Sequence, residues 1–85
     1  MPNGRYRVEY TATALEGLRA LPKREAAQVL RKILRLENGL HGNIKRLQNT
    51  DAAFRLRMGD YRILFDVFGD RIVIQKIGHR KDVYD

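Results

Sequence analysis

Two Gly-Asp dipeptides divide the second half of the chain into three segments that each resemble a β-strand. The segments are residues 53–58 (AFRLRM), 61–68 (YRILFDVF) and 71–78 (RIVIQKIG), and Gly59-Asp60 and Gly69-Asp70 separate them. A Gly-Asp pair between two segments rich in β-branched and aromatic residues is typical of a two-residue hairpin turn. The pattern therefore predicts three consecutive antiparallel strands, and it restricts the chain to folds that contain them.

The first half of the chain predicts one strand followed by two helices. Residues 6–10 alternate apolar and charged side chains as a half-buried strand does, and Thr11 or Thr13 can cap the helix that follows. Pro22 suits the first turn of a second helix, and Asn38-Gly39 suits its end. The apolar residues at helical spacing are Leu15, Leu18 and Leu21 in the first helix and Ala26, Val29, Leu30, Ile33 and Leu34 in the second. These apolar faces need a sheet to cover them.

The remaining segment, residues 40–52, lacks clean periodicity, and we interpret it as a loop with Ile44 and Leu47 turned inward. His41 in this loop is interpreted as structural or solvated. Together the segments predict an α+β fold, with an N-terminal strand and a two-helix antiparallel hairpin packed on a twisted antiparallel sheet. Because the chain has only 85 residues, we expect one domain over residues 1–85.

Charge and cysteine content narrow the classes of function. The 17 Lys and Arg residues exceed the 10 Asp and Glu residues, which gives a formal charge of +7 and favours a polyanionic partner such as nucleic acid. The chain contains no cysteine and only 2 histidines, so disulfides and a thiolate zinc site are excluded and we expect no metal or other cofactor. No stretch approaches the ~20 apolar residues of a membrane span. We expect a soluble, cytoplasmic protein without a membrane partner.

The hairpin turns determine which side chains share a face of the sheet. If the first turn has two residues, Arg57 lies directly opposite Arg62, and Arg55 lies on the same face. If the second turn also has two residues, Arg62 lies opposite Ile77. The other face carries the apolar residues Phe54, Leu56, Met58, Tyr61, Ile63 and Phe65. This alternation predicts a core face toward the helices and a basic face on the other side.

The three arginines of the basic face form a candidate phosphate site. Like charges directly opposite each other on neighbouring strands are destabilising, and an anion between them would relieve the repulsion. Guanidinium groups also match phosphate oxygens in bidentate geometry. The alternative is that Arg55, Arg57 and Arg62 are solvated surface residues, paired with Asp66 or Asp82.

The C-terminal segment 78–84 extends the same candidate site. In the expected register it emerges beside Arg62, which brings His79 or Arg80, and also Tyr84, within reach of the basic face. Tyr84 could stack on a base of single-stranded RNA, and His79 could act as a general acid or base or could be an ordinary surface histidine. Further candidates for phosphate binding are Lys45, Arg46 and Lys81.

The acidic residues do not form a pair suited to two-metal catalysis. Asp60 and Asp70 lie in turns, and Glu16, Glu25 and Glu37 lie on helix surfaces. The remaining RNA-cleaving chemistry needs no metal: the ribose 2′-OH attacks the adjacent phosphate, provided that its proton is removed and the developing charge is stabilised. Arginines suit the second task, but they do not suit the first because a guanidinium stays protonated.

The order of elements, together with the segments FRLRMGDYRILFDVFGD and GHRKDVY, resembles the RelE/ParE toxin superfamily of bacterial and archaeal toxin–antitoxin modules. The resemblance covers nearly the whole chain and is strongest to the RelE branch, whose members cut mRNA in the ribosomal A site. It implies that this chain is a translation-inhibiting RNase toxin. It also implies an acidic antitoxin, partly disordered when free, and contact with operator DNA only through that antitoxin.

The resemblance also implies roles for individual residues. The basic residues before the hairpin fall on Arg55 and Arg57, and the arginine that stabilises the transition state falls on Arg62. Arg80 matches a charge stabiliser or leaving-group acid, and Tyr84 matches the tyrosine that stacks on or orients the nucleotide. This chain has arginines where the best-known branch has lysines, one of which is a suggested general base. The base is therefore unassigned, with His79 or positioning by the ribosome as alternatives.

Two other functions remain open at this point. A ParE-like poison of DNA gyrase would use the same fold and act by binding, although that branch generally lacks clustered basic residues. A non-catalytic RNA-binding or ribosome-binding module would use the same charges for affinity alone.

Overall fold

A computed structural model describes residues 5–40, 42–48 and 52–83, and it confirms the α+β fold. His41, which we interpreted as structural or solvated, lies outside these residues. The strands are β1 (Arg7–Tyr10), β2 (Ile44–Arg46), β3 (Phe54–Met58), β4 (Tyr61–Phe68) and β5 (Arg71–His79). The helices are α1 (Ala12–Arg19), α2 (Lys23–Arg35), which a 3₁₀ turn (Leu36–Asn38) follows, and α3 (Arg80–Val83).

The five strands form one sheet in the order β1-β5-β4-β3-β2. The antiparallel pairs β3–β4 and β4–β5 are the predicted hairpins, and Gly59 and Gly69 take the positive φ angles that such turns require. Strand β1 pairs in parallel with β5, which makes the sheet mixed at one edge.

The segment interpreted as a loop contains the edge strand β2, so that interpretation is wrong for Ile44–Arg46. Three residues are too few to show the alternation of apolar and polar side chains that marks a strand. Pairing with β3 stabilises β2. Ile44 is half-buried against the core, and Leu47 is half-buried against a smaller apolar cluster, so both turn inward as expected.

Both long helices pack on one face of the sheet. The core there consists of Ala14, Val29, Ile33, Leu36, Leu56, Ile63, Phe65, Ile72, Ile74 and Ile77. The predicted apolar stripe of α2 is only partly correct, because Leu30 and Leu34 are 36% and 52% exposed. They lie one position beyond Val29 and Ile33, which turns them about 100° away from the sheet. Within the described residues, no helix is long and apolar enough to span a membrane.

The register of the first hairpin is as predicted, and that of the second is not. Arg57 lies directly opposite Arg62. Arg62, however, lies opposite Gly78 and not opposite Ile77, because a bulge shifts the pairing of β4 and β5 between Leu64 and Phe65. The extra residue on β5 is Gln75, which falls between the paired positions on either side of it.

Contacts from other elements hold this bulge in place. The hydroxyl of Thr11 donates to the Gln75 carbonyl over 3.1 Å, and it accepts the Ala14 N–H at the start of α1 over 3.0 Å. The side-chain amide of Gln75 donates to the Asp66 carboxylate over 3.0 Å. Turn length alone could not reveal the shift, because the contacts that stabilise the bulge lie far from it in sequence.

A Thr11→Val substitution is expected to destabilise the protein, whereas Thr11→Ser is expected to be close to neutral. Valine keeps the shape of threonine but removes both the helix cap and the hydrogen bond to the bulge, which together are worth about 1–3 kcal/mol. Urea unfolding of the two variants and the wild type measures the difference. Equal unfolding free energies for the valine and serine variants would contradict this account of the bulge.

Candidate nucleic-acid interface

The face of the sheet opposite α1 and α2, which we call the outer face, carries two cross-strand rows rich in basic residues. The first row consists of Arg57, Arg62 and Gly78. Because residues directly opposite each other point to the same side, the register also defines the second row. It consists of Lys45, Arg55, Leu64 and Lys76. The predicted separation of a core face and a basic face is therefore confirmed.

Arg62 is buried, with 5% of its surface exposed. Its Nη1 donates to the carbonyl of Gly59 over 2.6 Å and to that of Tyr61 over 3.0 Å, both at the first hairpin turn. Its Nε is buried and has no hydrogen-bond acceptor among the described residues. A buried donor without an acceptor is costly, so Arg62 is fixed in position while part of its hydrogen-bonding capacity is unused.

α3 packs on the outer face next to the strand position of Arg62. Gly78, directly opposite, has no side chain, and a Cβ at this position would lie 3.1 Å from Cγ2 of Val83. Val83 packs with Leu64 and Ala52 in a small apolar cluster on the outer face. The glycine therefore gives α3 the space to fold back over the sheet beside Arg62.

The C-terminal segment is attached to the same hairpin turn as Arg62. The N–H of Arg80 donates to the Asp60 carbonyl over 2.7 Å, at the turn whose Gly59 carbonyl accepts from Arg62. The side chains of Arg80 and Lys81 are exposed. Tyr84, the predicted stacking residue, lies outside the described residues.

His79 does not join the arginines on the outer face. It pairs with Tyr61 on the side where the helices pack, and the two rings meet edge to face at 5.9 Å. Its Nδ1 accepts the N–H of Lys81 over 3.2 Å. The bulge is the physical reason, since a shift of one residue moves a side chain to the opposite face. The expectation that the ring of His79 reaches the basic face is therefore wrong.

The two basic residues of β2 point to opposite sides of the sheet. Lys45 lies opposite Arg55 and belongs to the outer face. Arg46 lies opposite Phe54, and its guanidinium carbon is 5.6 Å from the centre of that ring, on the side of the helices. The structure therefore groups Lys45 with the outer-face arginines and separates Arg46 from them.

Asp66 binds groups other than the three arginines, with which the alternative interpretation paired it. Its carboxylate accepts the N–H of Ala53 over 2.8 Å and the amide of Gln75. Asp66 therefore fixes the segment that leads into β3. Asp82, the other acidic residue of that alternative, is exposed in α3.

Ion pairs lie at the β1 edge of the sheet. Arg71 binds Glu9 at 2.9 Å, and Arg7 lies 3.6 Å from Asp70. Hydrogen bonding to the guanidinium of Arg71 lowers the pKa of the Glu9 carboxyl. Acidic charge is thus paired at this edge, whereas the row of Arg57, Arg62 and Gly78 contains none.

Lys76 is a basic residue of the outer face that sequence reasoning missed. Without the bulge, its partner would be Ile63, and a lysine would then lie on the buried core face. A lysine at a core position is a sequence signal that the assumed register is wrong, because an unpaired lysine is almost never fully buried. The bulge removes the conflict by turning Lys76 to the outer face, where it is exposed.

The outer face is suited to binding phosphates and to stabilising negative charge. It presents arginine and lysine side chains on rigid strands, and Arg62 is held by two carbonyls in a nearly water-free position. Over residues 5–40, 42–48 and 52–83, no group of three His, Cys, Asp or Glu side chains is placed to hold a metal ion.

Comparisons with known proteins agree on one family. A family model described as the ParE toxin of the type II toxin-antitoxin system parDE matches residues 8–84. Toxin RelE3 of Methanocaldococcus jannaschii is 40% identical over 48 residues, which are 56% of this chain and 54% of that protein. The match thus spans about half the length of that relative.

Two solved structures are similar over most of the chain. One is the toxin–antitoxin complex RelBE2 from Mycobacterium tuberculosis, with 31% identity, a TM-score of 0.77, and coverage of 89% of this chain and 99% of that chain. The other is the RelB–RelE antitoxin–toxin complex from Methanococcus jannaschii, with 26% identity, a TM-score of 0.75, and coverage of 91% and 95%.

Proposed function

This chain belongs to the RelE/ParE family of type II toxins, and we propose that it is an endoribonuclease that cuts mRNA in the A site of the ribosome. The observation that carries the proposal is the outer face. The row that contains Arg57 and Arg62 is basic and has no acidic residue. The guanidinium of Arg62 is buried, and its Nε has no acceptor among the described residues. A phosphate of single-stranded RNA would supply the negative charge that this row lacks.

In the proposed reaction the ribose 2′-OH attacks the neighbouring phosphorus. The new O–P bond forms as the bond to the 5′ oxygen breaks, which leaves a 2′,3′-cyclic phosphate on one product and a 5′-OH on the other. Arg57 and Arg62 stabilise the charge that builds up on the non-bridging oxygens, and Arg80 stabilises the leaving oxygen. The arginines do not take the proton from the 2′-OH. We propose that the ribosome places the mRNA so that weak base catalysis suffices, with water taking the proton of the 2′-OH and returning one to the leaving 5′ oxygen.

The test uses purified protein, programmed ribosomes and a defined mRNA, with free mRNA as the control, and maps the cut sites by primer extension. We expect cleavage only with ribosomes. A single 2′-deoxy substitution on the 5′ side of the mapped cut is expected to abolish cleavage at that site, because it removes the nucleophile. Cleavage that persists in the deoxy mRNA would overturn the mechanism, and the absence of any cleavage by the wild type would overturn the activity.

A cognate antitoxin is the second partner that we propose. The two similar solved structures are antitoxin–toxin complexes, and the charge of +7 on this chain favours an acidic binding segment. Such a segment would order on contact and neutralise the toxin, and operator DNA would be contacted through the antitoxin.

Poisoning of DNA gyrase is the alternative function. It is considered because the matching family model describes a ParE toxin. The RelE relatives and the basic outer face make it the less favoured function. A supercoiling assay with DNA gyrase separates the two, since we expect no inhibition at toxin concentrations that stop translation.

A further inference from the structure

The C-terminal helix α3 is short and is held by few contacts. It contains 4 residues, Arg80–Val83, and a single helical turn is unstable unless other groups hold it. Val83 is its buried residue. At the start of the helix, the N–H of Arg80 donates to the carbonyl of Asp60 over 2.7 Å. The loss of one contact therefore changes how much of the time α3 lies on the outer face.

His79 provides a second contact at the start of this helix. It directly precedes Arg80, and its Nδ1 accepts the N–H of Lys81 over 3.2 Å. This is the arrangement of a helix N-cap, in which a side-chain acceptor binds the N–H of the second or third helical residue. A neutral imidazole accepts at Nδ1 only when its proton is on Nε2. The contact therefore requires one form of the ring, which is neutral and protonated at Nε2.

A proton on Nδ1 of His79 would break the contact. The ring would then be a donor at both nitrogens, and Nδ1–H would point toward the N–H of Lys81, which is also a donor. The usual cap residues keep an acceptor near neutral pH, whereas histidine ordinarily changes its charge between about pH 5 and pH 8. Acid therefore removes the cap of α3, but it does not remove that of α1, which is the hydroxyl of Thr11.

The charged groups around His79 give a protonated ring other partners. The ring lines a hollow of about 410 Å³ on the side of the helices, and it meets the ring of Tyr61 edge to face at 5.9 Å. Charged side chains near it include Glu25 on α2, Asp60 in the first hairpin turn, and Arg80, Lys81 and Asp82 on α3. The carboxylates of the hollow attract an imidazolium and the two cations of α3 repel it, whereas the exposed Asp82 attracts it more weakly. Protonation thus leaves the ring in the hollow and the helix without its cap.

The position of α3 affects the proposed reaction because the helix carries Arg80. Arg80 is assigned to the leaving 5′ oxygen, and α3 packs over Gly78, directly opposite Arg62. A detached helix would take Arg80 away from Arg57 and Arg62, which rigid strands hold in place. The protonation state of His79 therefore determines whether the three guanidinium groups are together.

We propose that His79 is a positioning residue whose neutral imidazole caps α3, and that its protonation detaches α3 and slows cleavage. This inference rests on the proposed ribonuclease function and adds a regulation of the same site by pH. The ring acts through the helix and not on the RNA, since it lies on the side of the sheet opposite to Arg57 and Arg62. A fall in pH would thus reduce the activity of the toxin without any other partner.

Two replacements of His79 separate the cap from the packing of the ring. His79→Asn keeps a cap acceptor that does not titrate but loses the ring, whereas His79→Phe keeps a ring against Tyr61 but has no acceptor. Ribosome-dependent cleavage by each protein is measured between about pH 5 and pH 8. At the alkaline end we expect His79→Phe to be about 5-fold slower than the wild type, which is the effect of one cap on a helix equilibrium. His79→Asn is expected to restore cleavage.

The pH profile is a readout that a purely structural role of His79 would not change. Dividing the rate of the wild type by that of His79→Asn at each pH removes the effects of pH on the ribosome and on the chemical step. We expect this ratio to fall about 5-fold toward the acid end, as the cap is lost. The same ratio for His79→Phe is expected to stay constant. His41→Asn replaces the other histidine of the chain and is the control that should keep the fall.

Nuclear magnetic resonance tests the cap without any activity. Nitrogen-15 spectra of the imidazole rings distinguish a proton on Nε2 from one on Nδ1, and the methyl signals of Val83 report whether α3 packs on the sheet. At the alkaline end we expect His79 to carry its proton on Nε2. On acidification, the Val83 signals should move with the same midpoint as the His79 ring, and they should not move in His79→Asn.

The outcomes separate this inference from the proposed function. A wild type that never cuts mRNA but shows the coupled titration would overturn the ribonuclease function, and with it the effect on cleavage, while the cap and its release by acid would stand. Three results would overturn the inference itself: a neutral His79 with its proton on Nδ1, a wild-type ratio that does not change with pH, or full cleavage by His79→Phe.

Discussion

Replacing Arg62 with alanine is expected to lower ribosome-dependent cleavage at least ~100-fold, which is the size of effect for one donor that stabilises a developing oxyanion. The guanidinium is held by the carbonyls of Gly59 and Tyr61 in a buried position, so it is preorganised before substrate binds. Single-turnover cleavage of a defined mRNA on programmed ribosomes measures the effect. We expect the loss in the rate of cleavage, with little change in the binding of the toxin to ribosomes.

Because Arg62 is buried, a loss of cleavage on its replacement must be separated from a loss of stability. Alanine also removes packing and two hydrogen bonds, which is expected to cost about 1–3 kcal/mol of stability. Arg62→Met keeps most of the apolar stem and removes the charge, so it should unfold at higher urea concentration than Arg62→Ala while being equally inactive. Arg7→Ala removes an exposed arginine at the β1 edge and is expected to leave cleavage unchanged. Equal cleavage by wild type and Arg62→Met would eliminate Arg62 as a catalytic residue.

The part of this site that could be predicted depends on local sequence. A two-residue turn of Gly59 and Asp60 fixes the pairing of the strands on either side, so the alignment of Arg57 with Arg62 follows from the turn and the alternation of side chains. The same reasoning identified the core face of β3 and β4. Neither step requires knowledge of residues that are distant in sequence.

The part that could not be predicted depends on contacts between distant elements. The bulge at Gln75 is held by Thr11 and Asp66, 64 and 9 residues away, and no pattern within β5 contains them. One inserted residue then reverses the expected faces, which places His79 beside Tyr61 and Lys76 on the outer face. Strand β2 was missed for a related reason, since its pairing with β3 and not its own sequence stabilises it.

Gly17→Ala is expected to destabilise the protein strongly, although it adds only one methyl group. A Cβ at this position would lie 2.0 Å from the carbonyl oxygen of Ile77 and 3.0 Å from its carbon, so α1 and β5 must separate to accept it. Both contacts are with backbone, which cannot turn away as a side chain does. Overpacking of this kind costs about 1–3 kcal/mol or more. Alanine in an ordinary helical position would instead stabilise the protein by up to about 1 kcal/mol.

Gly78→Ala is the matched comparison, because the same methyl group meets only the side chain of Val83, at 3.1 Å. Thermal unfolding of the two variants is expected to show a large fall in Tm for Gly17→Ala, of about 10 °C or more, and a small one for Gly78→Ala. Similar Tm values would contradict the close packing of α1 on β5. The comparison also bears on function, because α3 covers Gly78 directly opposite Arg62. A Gly78→Ala protein that keeps its stability but loses cleavage would show that the fit of α3 over this glycine positions Arg62 for the reaction.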